Sequence, residues 1–355
     1  MSHILQQLAE APGAPGSESA VRALFHHHLA PCGVITHDRS GSALCTRSGT
    51  GPRVMLTAHM DEVAFAVQSI TKSGFLKIVP LGGWWTHNLL AQRVNVWTRS
   101  GKSILGVIAS TPPHFLSETQ RDKVLPIDQL FIDVGAKDRA EAMETFGISL
   151  GDPITPASSY TPLTNPDLVL CKAFDNRVGC GVMIETMLRL REISLPCTLT
   201  AVGTVQEEIG CRGATTAATL LQPDVALILE GTPADDTPGM ESTDAQGALG
   251  SGPQLRLLDP TALMNRPLVD LVEKVAQDNG LPYQIAVRRS GGTDAKSIHL
   301  TGSGVPCIVI GVPARYIHSH NALIDLRDYT HTISLITALI EKLDAPTVAS
   351  LTQFT

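Results

Sequence analysis

Apolar residues in this chain fall into two textures. In the first, short and nearly continuous apolar runs occur at Arg53–Ala58, Leu168–Cys171, Leu199–Val205, Val225–Leu229 and Val305–Ile310. Their β-branched content predicts strands buried on both faces. Between them lie stretches with helical spacing. Val21, Leu24, Phe25 and Leu29 share one face, and Ser17 offers an N-cap after the break at Ala11–Gly16. Further helices are predicted over Ile4–Leu8, from Val178 to about Glu192, over Gly213–Leu221 and Arg266–Gln277, and from about Asp328 to Leu343. A strand is also expected at Tyr283–Val287, and a Gly- and Asp-rich loop at Asp235–Gly252. Together these predict an α/β fold, with a mixed central sheet and helices on both faces.

The second texture runs from about Phe65 to Thr164. Short apolar runs at Leu76–Val79, Arg93–Thr98, Ile104–Ala109 and Leu130–Val134 alternate with turn signals such as Gly82-Gly83 and Ser100-Gly101, and only Asp138–Phe146 looks helical. An inserted small β-barrel is expected there. The domain reading is therefore residues 1–65 and 166–355 as one discontinuous α/β domain, with 66–165 as a β-rich insert.

Composition narrows the function. With 355 residues, the chain suits two domains or one large domain with an insertion. A net charge of −7 and the lack of basic runs argue against a nucleic-acid surface. No run of about 18 apolar residues could span a membrane. The first residues do not resemble a signal peptide, so a cytoplasmic location is expected. Seven cysteines without a Cys-x-x-Cys pair read as buried thiols. His26, His27 and His28 stand about 100° apart on their helix and cannot converge on one ion.

Polar groups gather where the buried strands end, which in open α/β sheets is where ligands bind. They are His59, Asp175, Glu207, Glu208, Glu230 and His318. Each has an ordinary alternative: Asp175 could cap a helix, Glu230 could close a strand, and a lone His could be a core residue. As a set they suit a divalent site for Zn, Co or Mn. With one carboxylate bridging, two ions about 3.5 Å apart could be held, leaving one glutamate as a base toward water.

Ala58-His-Met-Asp-Glu62, Phe174-Asp-Asn-Arg177, Gln206-Glu-Glu208, Gly291-Gly-Thr-Asp-Ala295 and Arg315-Tyr-Ile-His-Ser319 together resemble the M42 family of metallo-aminopeptidases, over nearly the whole chain and in the family's order. The resemblance implies two divalent ions per subunit and removal of N-terminal residues from peptides by a metal-activated water. It implies that His59 binds one metal, that Asp175 bridges both, and that Glu208 and His318 serve the second. Glu230 would be a further ligand; many members have Asp there, and Glu, one methylene longer, still reaches. Glu207 would be the general base and Asp61 a supporting carboxylate behind His59. His318 is favoured over its neighbour His320. Gly291 and Gly292 would let substrate approach the backbone closely. The family also implies homodimers through the insert and a dodecamer. The alternatives are a deacylase on the same site or, less in keeping with the histidines, a glycoside hydrolase using Glu207 and Glu208. A binding protein that has lost catalysis fits the intact Glu207 poorly.

Overall fold

The computed structural model describes residues 3–240 and 245–353. Its strands are β1 (Val34–His37), β2 (Ala43–Arg47), β3 (Arg53–His59), β4 (Ala64–Ile70), β5 (Leu76–Leu81), β6 (Arg93–Trp97), β7 (Ser103–Ala109), β8 (Phe131–Asp133), β9 (Pro153–Pro156), β10 (Thr161–Pro162), β11 (Leu168–Cys171), β12 (Thr198–Thr204), β13 (Val225–Pro233), β14 (Gln254–Asp259), β15 (Ala262–Leu263), β16 (Gln284–Val287), β17 (Cys307–Arg315) and β18 (Ala322–Asp325). The helices are α1 (His3–Glu10), α2 (Ser19–Leu29), α3 (Glu118–Arg121), α4 (Phe174–Leu190), α5 (Arg212–Leu221), α6 (Arg266–Asp278), α7 (Ala295–Ile298), α8 (Leu326–Ile340) and α9 (Ala345–Ser350).

Twelve strands form one mixed sheet, ordered β1-β2-β12-β3-β13-β17-β18-β11-β10, with β14, β15 and β16 branching from β17. At its centre β12, β3, β13 and β17 run parallel. Almost every residue of these four strands is buried, because helices cover both faces. Helix α4 packs on β3 and β13 with α1, α2 and α8 against it, while α5 and α7 pack together and reach β12 and β17. The parallel register places Thr204 opposite His59 and Glu230 opposite Gly311. Three of the polar motifs therefore leave the sheet at one edge. Gly231 permits the next approach: a Cβ there would lie 2.5 Å from the Phe174 carbonyl and 2.9 Å from Asp175 Cα.

The insert is a closed barrel, β4-β5-β8-β7-β6-β9, with its own apolar core around Phe65, Leu76, Val94 and Ile132. Its strands run from Ala64 to Pro156, while Thr161–Pro162 pairs with β11 in the large sheet.

Local details differ from the sequence pattern. The helix expected to be capped by Ser17 begins at Ser19, and Glu18 sits at its N-cap without capping it. The Glu18 carboxylate instead accepts from the amides of Gly16 at 2.7 Å and Gln206 at 3.2 Å. The helix expected from Val178 starts earlier, at Phe174, with Asp175 and Asn176 in non-helical conformation. Asn176 Oδ1 accepts from the Gly179 amide at 3.1 Å, so the capping bond falls to Asn176 and leaves Asp175 for the site. The helix expected at Asp138–Phe146 is present over residues 139–145, beginning as α-helix at 139–140 and widening into a π-helical turn at Glu141–Thr145. Residues 241–244 of the predicted Asp235–Gly252 loop lie outside the described residues.

One buried ion cluster joins α1 to the strand ends. Glu62 Oε1 accepts from Lys172 Nζ at 2.6 Å and from an Arg177 guanidinium nitrogen at 3.2 Å, and all three residues are at most 3% exposed. The cations also reach carbonyls of the N-terminal segment, Lys172 that of Ala11 and Arg177 those of Leu8 and Ala11. Removing the anion leaves two buried cations uncompensated. Glu62→Ala is therefore expected to lower unfolding stability by about 3–5 kcal/mol in urea titration; a loss below about 1 kcal/mol would show that the cluster carries little of the fold.

Candidate metal centre

Five chain segments meet at the strand edge. His59 ends β3 and its Nδ1 lies 3.1 Å from the carbonyl oxygen of Asp61. A carbonyl only accepts, so Nδ1 carries the proton and Nε2 is turned outward. His59 Nε2 faces Asp175 Oδ1 at 3.1 Å and Glu230 Oε2 at 3.6 Å. His318 repeats the arrangement. Its Nδ1 donates to the Gly83 carbonyl at 2.7 Å, and its Nε2 faces Asp175 Oδ2 at 3.3 Å and Glu208 Oε2 at 3.4 Å. Asp175 thus offers one oxygen to each imidazole. Two groups of ligand atoms, each within 4.8 Å, result: His59, Asp175 and Glu230, and Asp175, Glu208 and His318.

The two glutamates after β12 diverge. The Glu207 amide donates to Asp61 Oδ1 and the Glu208 amide to Asp61 Oδ2, both at 3.0 Å. Asp61 is fully buried, so it acts as a fixed brace for that loop. Glu207 turns toward His59, with 3.9 Å between Oε2 and Nε2, and its Oε1 accepts from the Cys211 thiol at 3.4 Å. Glu208 turns toward His318. The loop backbone is constrained as well: Ala173, Gln206, Cys211, Tyr316 and His318 all have positive φ without being glycine.

Asp294 completes the pocket and had no role assigned from sequence. It is buried, accepts from the Thr204 hydroxyl at 2.5 Å, and lies within ligand distance of Glu207 and Cys211. Its motif was visible, but its partner Thr204 lies 90 positions away. Gly291 is an exposed turn residue with φ of +81°, and a Cβ on Gly292 would meet Thr261 at 2.9 Å. The close neighbour of Gly292 is thus Thr261, in the turn between β14 and β15. His320 lies outside both ligand groups, and burial pushes its imidazole down to about 4.

A family model for the M42 glutamyl aminopeptidases matches residues 41–335. The chain belongs to that family. A glutamyl aminopeptidase from Lactococcus lactis is 35% identical over 99% of this chain and 98% of its own length. A TET aminopeptidase from the marine sediment archaeon Thaumarchaeota archaeon SCGC AB-539-E09 superposes with a TM-score of 0.96 at 40% identity, covering 98% of each chain. The TET1 peptidase of Pyrococcus horikoshii, described as assembling into a tetrahedron or a large octahedral shell, gives a TM-score of 0.85 at 29% identity over 96% of this chain and 99% of its own. This M42 chain is accordingly a hydrolase of peptide bonds.

M42 peptidases are metal-dependent, and the donor set here fits divalent ions. Both imidazoles turn an Nε2 toward carboxylate oxygens, which needs a proton or a cation between them. Glu208 Oε1 is buried with no hydrogen-bond partner among the described residues. Burial pushes the Glu208 and Glu230 carboxyls well above the ordinary range, against the pull of the nearby imidazoles. Burial also raises Glu207 to about 7, His59 opposing and Asp294, Asp61 and Asp175 adding to the rise. Burial opposes charge on the imidazoles too, yet their carboxylate neighbours hold His318 up at about 10 and His59 well above its usual value. Asp175 moves the other way: burial raises it, but hydrogen bonds from His318 and His59 prevail and hold it low.

Raised carboxyls favour folding below their ordinary range and lose that contribution as pH climbs, for Glu207 through about 7. The raised imidazoles also lose theirs on the alkaline side, and Asp175 matters only at strongly acidic pH. Stripped protein should therefore melt at lower temperature at pH 8 than at pH 5.5. Added Zn²⁺ or Co²⁺ should raise the melting temperature more at pH 8, where ligands are deprotonated. An equal or smaller gain at pH 8 in scanning calorimetry would count against a metal centre here.

Proposed function

We propose that this enzyme removes N-terminal residues from peptides at a site for two divalent ions, with Glu207 as general base. The observation that carries the reading is the Asp175 carboxylate, shared between two imidazoles that each present Nε2. His59, Asp175 and Glu230 would hold one ion, and Asp175, Glu208 and His318 the other. Zinc and cobalt suit these donors, and manganese is compatible. When bound, the ions would supply positive charge that acidifies a water and polarises the scissile carbonyl.

The chain's own groups do the rest. Glu207 Oε2, the oxygen not engaged by Cys211, takes a proton from water as the water oxygen adds to the carbonyl carbon. When the C–N bond breaks, the same carboxyl returns that proton to the leaving nitrogen. Asp61 holds the loop so that Glu207 and Glu208 stay apart. Glu230, Glu207 and Asp294 place negative charge where the free α-ammonium of a peptide would sit. A glycosidase reading leaves the paired imidazoles without a purpose, whereas a deacylase on the same site would use the same ligands and base and is separated by its substrate, which has no free α-amine.

The reading extends to assembly, with the barrel supplying dimer contacts within a dodecamer. Supporting it are large apolar side chains exposed on the barrel domain: Phe115 is 80% exposed and Leu105 55%. Sedimentation should show a particle many times heavier than the 37.8 kDa chain; a monomer at micromolar concentration would overturn this extension.

For the catalytic assignment, Glu207→Gln should keep its bound metal and its melting temperature but lose about 10²–10⁴ of kcat toward aminoacyl-p-nitroanilides. His318→Ala should lose about one ion per chain by elemental analysis. Near-normal turnover in the first variant, or unchanged metal content in the second, would remove those roles.

A further inference from the structure

A cleft of about 730 Å³ opens beside the centre, between the barrel-side segment from Gly83 to Gln92 and the loop from Tyr316 to Asn321. His318 belongs both to its wall and to the metal-ligand group, so a molecule in the cleft abuts the reacting region. Trp84, Trp85 and Tyr316 supply aromatic surface, with Trp84 fixed by donating Nε1–H to the Ala64 carbonyl at 2.9 Å. Asn88 and Gln92 add uncharged amides. The lining includes no Asp, Glu, Lys or Arg. His320 is also in the wall, is 2% exposed, and has no hydrogen-bond partner at either ring nitrogen among the described residues. A buried imidazole without partners calls for a ligand with hydrogen-bonding groups of its own.

We propose that this cleft is the groove for the leaving peptide, and that it selects an uncharged side chain, aromatic or amide, on the residue after the scissile bond. The inference rests on the aminopeptidase reading. A free α-ammonium is drawn to the end of the site where Glu207 and Asp294 join Glu230 around His59. A chain anchored there by its first residue continues past His318, at the opposite end. The cleft has the volume for more than one residue of that continuation. Its aromatic walls suit apolar or planar side chains. The peptide's own amides would supply partners for His320. Apart from the imidazoles of His87, His318 and His320, the walls hold no ionisable side chain other than the Tyr316 phenol, so a charged side chain would give up its hydration with no carboxylate, ammonium or guanidinium to meet it.

The test uses wild-type enzyme and Asn88→Lys, a half-buried position on the cleft wall and outside the ligand set. Tripeptides Ala-Y-Gly with Y as Phe, Gln, Glu or Lys report the second position, and X-Ala-Gly peptides report the first. Wild type should favour Phe and Gln over Glu and Lys at Y by about tenfold or more in kcat/KM. Asn88→Lys should raise the Glu-to-Phe ratio at Y about tenfold and leave the ranking at X unchanged. A preference for Glu or Lys at Y in wild type, or a shift at X alone, would overturn the proposal.

In parallel, N-acetyl-Phe-Gly-amide, which has no free amine to be processed, should change the tryptophan emission saturably, while the Glu analogue should not. If no tripeptide is cleaved but the Phe analogue binds and Asn88→Lys transfers binding to the Glu analogue, the groove stands and the aminopeptidase reading falls. If tripeptides are cleaved and neither the analogues nor Asn88→Lys distinguishes charge, the groove falls and the aminopeptidase reading stands.

Discussion

The constraint on which this structure depends is the crowding of buried carboxylates around two imidazoles. Asp175 stands between His59 and His318, while Glu207, Glu208, Glu230 and Asp294 close in from other strand ends. Burying so many acids is unfavourable unless positive charge is present. Among the described residues, the imidazoles are the groups that face these acids and can offer it, and both lean toward the protonated form for that reason. The arrangement therefore works against the stability of the protein alone and in favour of whatever cation fills it. Five of the seven described non-glycine residues with positive φ stand beside this cluster, at the exits of the strands that build it. Such conformations cost of order 1–3 kcal/mol each and persist only where the surroundings over-determine them.

Those surroundings are identifiable. The four parallel strands fix the directions of His59, the Glu207 loop, Glu230 and the Tyr316–His318 turn. Behind them, Glu62 with Lys172 and Arg177 binds the His59 loop to the segment before Asp175 and to the end of α1. Glu18 reaches the Gln206 amide from another direction. The barrel contributes the Gly83 carbonyl that sets the tautomer of His318. The insert is thus part of the site's geometry as well as an appendage with its own core.

Strands buried on both faces announce themselves by apolar runs, which is why β3, β12, β13 and β17 and the polar groups at their ends were legible in the sequence. Four barrel strands were legible from turn signals. β4 and β9 were not, since β4 follows directly on the site loop and β9 is bounded by Pro153 and Pro156. The supporting contacts were illegible for another reason. Asp294 meets Thr204, Glu62 meets Lys172, and His318 meets Gly83 across 90, 110 and 235 positions. No periodicity encodes such pairs, and a carbonyl partner such as that of Gly83 leaves no trace in residue identity. Ser17 failed as a cap because Glu18 was recruited to tie down two loop amides, a tertiary demand that overrode local preference.

Glu207 and Glu208 show how far chain order can be trusted at such a site. As neighbours they differ by nothing in sequence except position, and either could be base or ligand. The single carboxylate of Asp61 accepts from both of their amides, one oxygen to each. That grip holds the two backbones together while their side chains part, one toward His59 and Asp294, the other toward Asp175 and His318. Glu208 is left with a buried oxygen lacking any donor among the described residues, which is the condition of a ligand. Glu207 has a weak thiol donor on one oxygen and the other free toward the pocket, which suits a group that must gain and lose a proton. The division of labour proposed for the pair therefore follows from what surrounds each carboxylate, and Asp61 is the residue that makes the two surroundings different.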